Sequence, residues 1–322
     1  MQLLTALLAI VLGAVISFIF APAVVTRDQT PLVDYSLQDP GDSHIALSVV
    51  IPAYNEELRL RPMVDATLAF LEGHRSTIRG EFELVIVDDG SRDATAAEVI
   101  RIQAFYPENK IAFVRLIDNQ GKGGAVKQGV LHARGDYVLM ADADGATEIS
   151  DLIALVEVMR DIQREHPLTH QLEGMVVGSR YTPKILFIIF IHDRAHLSET
   201  SIATRSLMRT VLMRAFHLAV MLLCTTKIKD TQCGFKLFTR STAMKIFSNI
   251  HIHRWAFDIE VIYIAESLGI PMAEVAVHWK EVEGSKLIQS KFDIVKTSAL
   301  MARDLLCNRL CYLLGIWRLP NS

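Results

Sequence analysis

An α/β fold, built on a largely parallel sheet with helices on both faces, is predicted by three observations on this 322-residue chain. Short β-branched and apolar runs recur between residues 47 and 141, helical stretches separate them, and clusters of Asp, Asn and Gly follow their carboxyl ends. Strands alternating with helices imply a parallel sheet covered on both sides, and such sheets bind ligands beyond the carboxyl ends of their strands.

The elements follow in order. From Met1 through Thr26 there is no charged side chain, and Leu3 to Val25 is nearly all Leu, Ala, Ile, Val and Phe. Residues 1–26 are therefore expected to be a transmembrane anchor, since a bilayer span takes roughly 20 apolar residues. A cleaved signal peptide is the competing reading, suggested by Ala21-Pro22-Ala23; the missing basic start and the length of the run oppose it. Residues 27–46, with Pro31, Pro40, Gly41 and scattered Asp, read as a linker. The catalytic domain is expected over 47–290. Its strands are Leu47–Ile51, Glu83–Val87, Ile111–Arg115 and Asp136–Ala141, and its helices Glu57–Glu72, Ala94–Phe105 and Gly123–Ala133. Beyond Asp151 the alternation loosens into a helix at Leu152–Arg164, a strand at Met175–Gly178, a helical tract at Ser201–Leu223 and a helix near Asp258–Leu268. The tail, 291–322, has apolar residues at helical spacing among Arg303, Arg309 and Arg318. It reads equally as an amphipathic helix on the membrane and as a helix packed on the domain.

Composition narrows the function. A net charge of −3 excludes a nucleic-acid partner, which needs a dominant basic face. Four scattered cysteines and no Asn-X-Ser/Thr sequon fit a domain in a reducing compartment. Mean hydropathy of +0.28 is high for a soluble protein and places part of the apolar content against lipid.

Four segments carry chemistry. No glycine follows the first strand, where Pro52-Ala53-Tyr54-Asn55-Glu56 stands, and this removes a dinucleotide-binding turn. Asp88 and Asp89 end the second strand, where a carboxylate can accept from the imide of a base; Ser91 or Asp93 is expected to cap the next helix. Lys122 among Gly121, Gly123 and Gly124 opens a helix, so amides and an ammonium can face a phosphate, although a plain tight turn explains the glycines equally. Asp142 and Asp144 end the fourth strand two residues apart and converge on one point. Two such carboxylates repel unless a cation or proton lies between them, which favours Mg²⁺ or Mn²⁺ over a merely solvated acidic turn. Further on, Lys229–Lys236 and Arg254–Glu260 lack helical or strand period, as site loops do. Trp255 can stack on a sugar or serve the core, and Glu260 is read as sugar-facing.

The order VVIPAYNEE, VDDGSRDAT, NQGKGGAVKQG and GDYVLMADADGAT resembles the inverting glycosyltransferases of the large GT-A family 2. KDTQCGFKLF, RWAFDIE and EGSKL resemble its branch that glucosylates dolichyl phosphate rather than the mannosyl branch. The resemblance runs from about Leu47 to Trp317. It implies a GT-A fold, UDP-glucose and dolichyl phosphate as substrates, and uridine held by Pro52, Tyr54, Glu56 and Asp89 with Asp88 beside them. It assigns Asp142 and Asp144 to the metal-binding D-x-D. The uncharged N-terminal run, Arg27 on its C-terminal flank, the absence of sequons and the linker lead to the expectation of a single pass in the endoplasmic reticulum membrane with the catalytic domain in the cytosol. Tyr181–Asp193 is interposed relative to the family, which leaves Arg180 and Arg194 as alternatives for one family arginine.

Transfer to an anionic phosphate calls for positive charge more than for a base. Arg205, Arg209 and Lys286 are candidates for the acceptor phosphate, and Asp230 for a positioning residue or base. A mannosyl enzyme using GDP-mannose and a non-catalytic nucleotide-sugar binder are the rival readings. A processive synthase would show Q-x-x-R-W, which is not found.

Overall fold

The computed structural model describes residues 12–22, 32–34, 44–107, 111–165, 173–180, 218–225, 227–280, 282 and 291–319. Among the described residues eight strands form one sheet: β1 (Leu32–Asp34), β2 (Ile45–Ala53), β3 (Glu81–Asp88), β4 (Ile111–Arg115), β5 (Tyr137–Met140), β6 (Met175–Ser179), β7 (Lys236–Thr239) and β8 (Met272–Ala276). Their spatial order is β1-β4-β3-β2-β5-β7-β6-β8. The neighbours β4-β3-β2-β5 run parallel, as the alternation predicts, and β6 runs parallel to β8. β1 and β7 run antiparallel to their neighbours, so the sheet is mixed.

Each central strand is buried on both faces, which is why its sequence is continuously apolar rather than alternating. Alternate residues then feed two separate cores. Val50, Val85, Val87, Val114 and Met140 face one; Val49, Ile51, Leu84, Ile86 and Leu139 face the other. Each such side chain contributes roughly 1.5–3 kcal/mol by leaving water. The helices Leu60–Gly73 and Leu152–Glu165 cover the second core, with Leu68, Leu71, Leu155 and Met159 turned inward. The helices Lys122–His132, Arg240–Phe247 and Phe257–Ser267 cover the first.

A buried carboxylate ties the amino end of the sheet together. Glu83 accepts from Ser48 Oγ at 2.6 Å, from the Arg134 amide at 2.8 Å and from the Arg134 guanidinium at 2.6 and 2.8 Å. The charge is tolerated because it is both paired and fully hydrogen-bonded.

Three expectations are corrected here. The linker over 27–46 contributes β1 and the first residues of β2. The helix Thr95–Phe105 has no side-chain cap at its N-cap, Ala94; Asp93 instead accepts from the Thr95 amide at 3.0 Å, while Ser91 Oγ accepts from Asn55 N. The transmembrane helix is not supported. Among the described residues no helix is long and apolar enough to cross a membrane. Residues 12–22 are helical. Phe20 packs on the domain and the ring of Phe18 lies 5.4 Å from the Arg303 guanidinium. The rest of 1–26 lies outside the described residues.

The tail helix Lys291–Leu313 packs on the domain, burying Leu305, Cys307 and Cys311, with Trp317 following. Its other side exposes Leu306, and Leu313, Leu314 and Ile316 are exposed at its end. All four cysteines are free thiols.

Candidate active site

The carboxyl ends of β2, β3 and β5 lie side by side, with Pro52 paired to Val87, Ala53 to Asp88 and Val50 to Met140. The loops that leave them are stapled together. Asn55, in the left-handed region at φ 57°, donates from its amide to Ser91 Oγ and accepts from the Arg92 amide at 2.9 Å. The Glu56 amide reaches Thr95 Oγ1 at 2.8 Å. Pro52 and Tyr54 are half-buried beside this junction.

Asp88 and Asp89 divide their work. Asp89 binds the glycine loop: it accepts from Gln120 N at 2.7 Å, Gly121 N at 2.9 Å and Asn119 Nδ2 at 2.9 Å. Burial pushes its carboxyl up to about 6, against the pull of the Gln120 and Gly121 amides. Asp88 is fully buried, with Oδ1 accepting from Ser91 N and Oδ2 lacking a hydrogen-bond donor, the Arg115 guanidinium being 3.7 Å away.

Asp142 and Asp144 follow β5 on one loop, as the spacing predicts. Asp144 accepts from the Ala146 amide at 3.0 Å. Asp142 is only about one-third exposed and receives Lys122 Nζ at 2.6 Å from Oδ1. Glu56 completes an acidic group: burial raises its carboxyl, Arg59 opposes that, and the charges of Asp144 and Asp142 raise it further. Carboxylates that repel one another in this way are what a divalent cation relieves. Among the described residues no group of three or more His, Cys, Asp or Glu side chains is arranged to hold a metal ion. Mg²⁺ and Mn²⁺ sites that also bind phosphates keep few protein ligands, so the Asp142–Asp144 pair fits such an ion.

The antiparallel strand β7 shapes the other wall. Met140 pairs with Lys236, and two residues on, past the ends of the two strands, Gly234 faces Asp142. A Cβ on Gly234 would lie 2.1 Å from Asp142 Oδ2, so the carboxylate occupies the space that any side chain would take. Lys236 is fully buried and donates to the Cys233 carbonyl at 2.6 Å and to Asp258 Oδ1.

Asp230 does not sit free in the cleft. It accepts from Arg180 Nη2 and Nε, each at 2.7 Å, and from the Arg180 amide at 2.9 Å. The Arg180 guanidinium lies 5.7 Å from the Trp279 ring. Arg180 and Trp279 were not singled out as a pair by sequence; they follow the parallel strands β6 and β8, whose pairing of Ser179 with Ala276 is visible only in the fold.

Glu260 is corrected. It is fully buried and accepts from the amides of His251 at 2.9 Å and Ile252 at 2.7 Å, with Tyr312 donating at 3.0 Å. It anchors the segment before the helix Phe257–Ser267 to the tail and does not face a sugar. Trp255, by contrast, is 41% exposed at the same segment. Arg194, Arg205, Arg209 and Lys286 lie outside the described residues.

Residues 48–247 match the family model described as Glycosyl transferase family 2. Curated relatives named dolichyl-phosphate beta-glucosyltransferase include those of Dictyostelium discoideum, 45% identical over 86% of this chain and 78% of the relative, and of Mus musculus, 46% identical over the same shares. The human relative of that name is 44% identical over 86% of this chain and 78% of its own length. A solved Pyrobaculum calidifontis mannosyltransferase, in complex with GDP-Man and Mn²⁺, is 17% identical over 98% of this chain and 87% of its own, with a TM-score of 0.48, a likeness too distant to bear on chemistry. The carboxylate pair after β5, the stapled loops after β2 and β3, and relatives of such identity lead to one conclusion: the chain is a glycosyltransferase that belongs to glycosyl transferase family 2, within the family of the dolichyl-phosphate beta-glucosyltransferases.

Proposed function

We propose that the enzyme transfers glucose from UDP-glucose to dolichyl phosphate with inversion. The observation that carries the site is the meeting of Asp142, Asp144 and Lys122 at the carboxyl end of β5, beside the loops after β2 and β3. Relatives named for glucosyl transfer to dolichyl phosphate support the substrates.

In this reading Pro52, Tyr54 and Asp88 line the base and ribose, and Asp89 acts by holding the 119–121 loop. Lys122, which the charge of Asp142 and then of Asp258 keeps ionised against the pull of burial, lies near the diphosphate. Asp142 and Asp144 would hold Mg²⁺ or Mn²⁺, which when bound neutralises the departing UDP as a Lewis acid. An acceptor phosphate oxygen attacks the anomeric carbon, the bond to the UDP oxygen breaks, and the electron pair leaves with UDP. The nucleophile is already anionic, so no base is required. Asp230, with both oxygens taken by Arg180, serves as a positioning residue. Trp255 offers a ring to the sugar. Arg205, Arg209 and Lys286 are proposed for the acceptor phosphate.

A membrane-bound acceptor calls for contact with lipid. Exposed Leu12, Val15, Ile16 and Phe18, together with Leu313, Leu314 and Ile316 after the tail helix, supply an apolar surface. The protein is placed at the endoplasmic reticulum membrane, attached through its N-terminal segment, with the domain in the cytosol where UDP-glucose is made. Purified protein with radiolabelled UDP-glucose or GDP-mannose and dolichyl phosphate tests the reaction: label is expected in the lipid phase only from UDP-glucose. Transfer from GDP-mannose instead would overturn the donor, and transfer from neither would overturn the function. In sealed microsomes, added protease should destroy the domain; full protection would refute the orientation.

A further inference from the structure

Lys122 is ion-paired with one carboxylate, Asp142, and feels the charge of a second, Asp258, carried by another element. Its Nζ is 2.6 Å from Asp142 Oδ1, and its charge also acts on Asp258. Asp258 stands in the first turn of the helix Phe257–Ser267, almost fully buried, and accepts from the buried ammonium of Lys236. Charge thus alternates through the wall of the cleft in the order Asp142, Lys122, Asp258, Lys236. The starts of the two helices press on each other: a Cβ on Gly123 would lie 2.6 Å from the Cβ of Phe257. The root of the lysine is therefore fixed, and a change of partner must come from its side chain.

An ammonium and a divalent cation cannot share one carboxylate without strong repulsion in a partly buried site. Relief comes when the lysine turns to a new anion, and a diphosphate is such an anion. We propose that Lys122 guards Asp142 in the metal-free protein and yields it to the cation only when a nucleoside diphosphate takes the lysine, the Asp258–Lys236 pair keeping the lysine within reach of both. This rests on the reading of Asp142 and Asp144 as cation ligands. Two consequences follow from linkage. The cation alone binds weakly, and cation and diphosphate strengthen each other's binding by the same factor.

The test is Mn²⁺ binding by the purified full chain, followed by electron paramagnetic resonance with and without UDP. In the wild type, UDP is expected to tighten Mn²⁺ by about tenfold or more. Lys122→Gln should bind Mn²⁺ alone about tenfold more tightly than the wild type, and UDP should then add less than about threefold. Asp258→Asn should do the opposite, weakening Mn²⁺ alone, because the lysine loses the pull of Asp258 and is held the more firmly by the charges of Asp142 and Asp144. Mn²⁺ binding without UDP that is unchanged in Lys122→Gln overturns the proposal while sparing the cation site. A wild type that binds no Mn²⁺ even with UDP overturns both.

Discussion

Gly234→Ala tests the register between β5 and β7 with a single methyl group. The glycine has an ordinary backbone conformation, so alanine brings no strain in φ. What it brings is a Cβ 2.1 Å from Asp142 Oδ2, against roughly 3.4 Å for ordinary van der Waals contact. The carboxylate must retreat by more than about 1 Å, and Lys122 is drawn with it through their 2.6 Å ion pair. Because the Asp142 side chain is about one-third exposed, it has room to turn away, and the cost in stability is about 1 kcal/mol. The cost in catalysis is larger. Displacing a group by about 1 Å at a reacting centre lowers the rate by about 10², equivalent to about 2.7 kcal/mol. Initial rates of glucosyl transfer over a range of UDP-glucose should show kcat/KM down by about two orders of magnitude, with a melting temperature lowered by only a few degrees. A variant within threefold of wild-type kcat/KM would refute the reasoning, since it would mean that the position of Asp142 does not matter. A collapse of melting temperature without a change in activity per folded molecule would refute it equally.

Asp144→Ala is expected to abolish both transfer and Mn²⁺-dependent UDP binding while leaving the circular dichroism spectrum intact; full activity would remove the cation assignment. Glu83→Gln strips the charge from the buried Ser48–Glu83–Arg134 cluster and should cost about 2 kcal/mol in urea unfolding, with kcat per folded molecule unchanged, because the cluster lies at the far end of the sheet from the site. Asp89, raised from 3.8 to about 6 chiefly by burial, holds its proton more tightly in the folded than in the unfolded chain. Its contribution to stability is therefore largest below about pH 4 and is lost as the pH rises through about 6. Relative to Asp89→Asn, which does not titrate, wild-type stability should fall by up to about 3 kcal/mol between pH 4 and pH 7; parallel stability curves for the two proteins would contradict the assignment.

The sequence by itself determined the four central strands, the positions of the Asp pairs at their ends and the family. Those features are local: a β-branched run and the polar residues that follow it are written in consecutive letters, and a strand fixes which of them share a face. What it did not reveal depends on residues far apart in the chain. Lys236 reads as a break in any apolar strand, so β7 was hidden until Asp258, 22 residues on, supplied its counter-charge. The importance of Gly234 exists only because β7 lies antiparallel beside β5. Glu260 carries the letter of a site residue, yet its carboxylate closes the amides of His251 and Ile252 and meets Tyr312, 52 residues away, on the tail helix. Asp230 likewise looked available until Arg180, carried to it by the end of β6, took both of its oxygens. A charged side chain has no fixed role in the sequence; its partner assigns one, and only the tertiary structure decides which partner comes within a hydrogen bond.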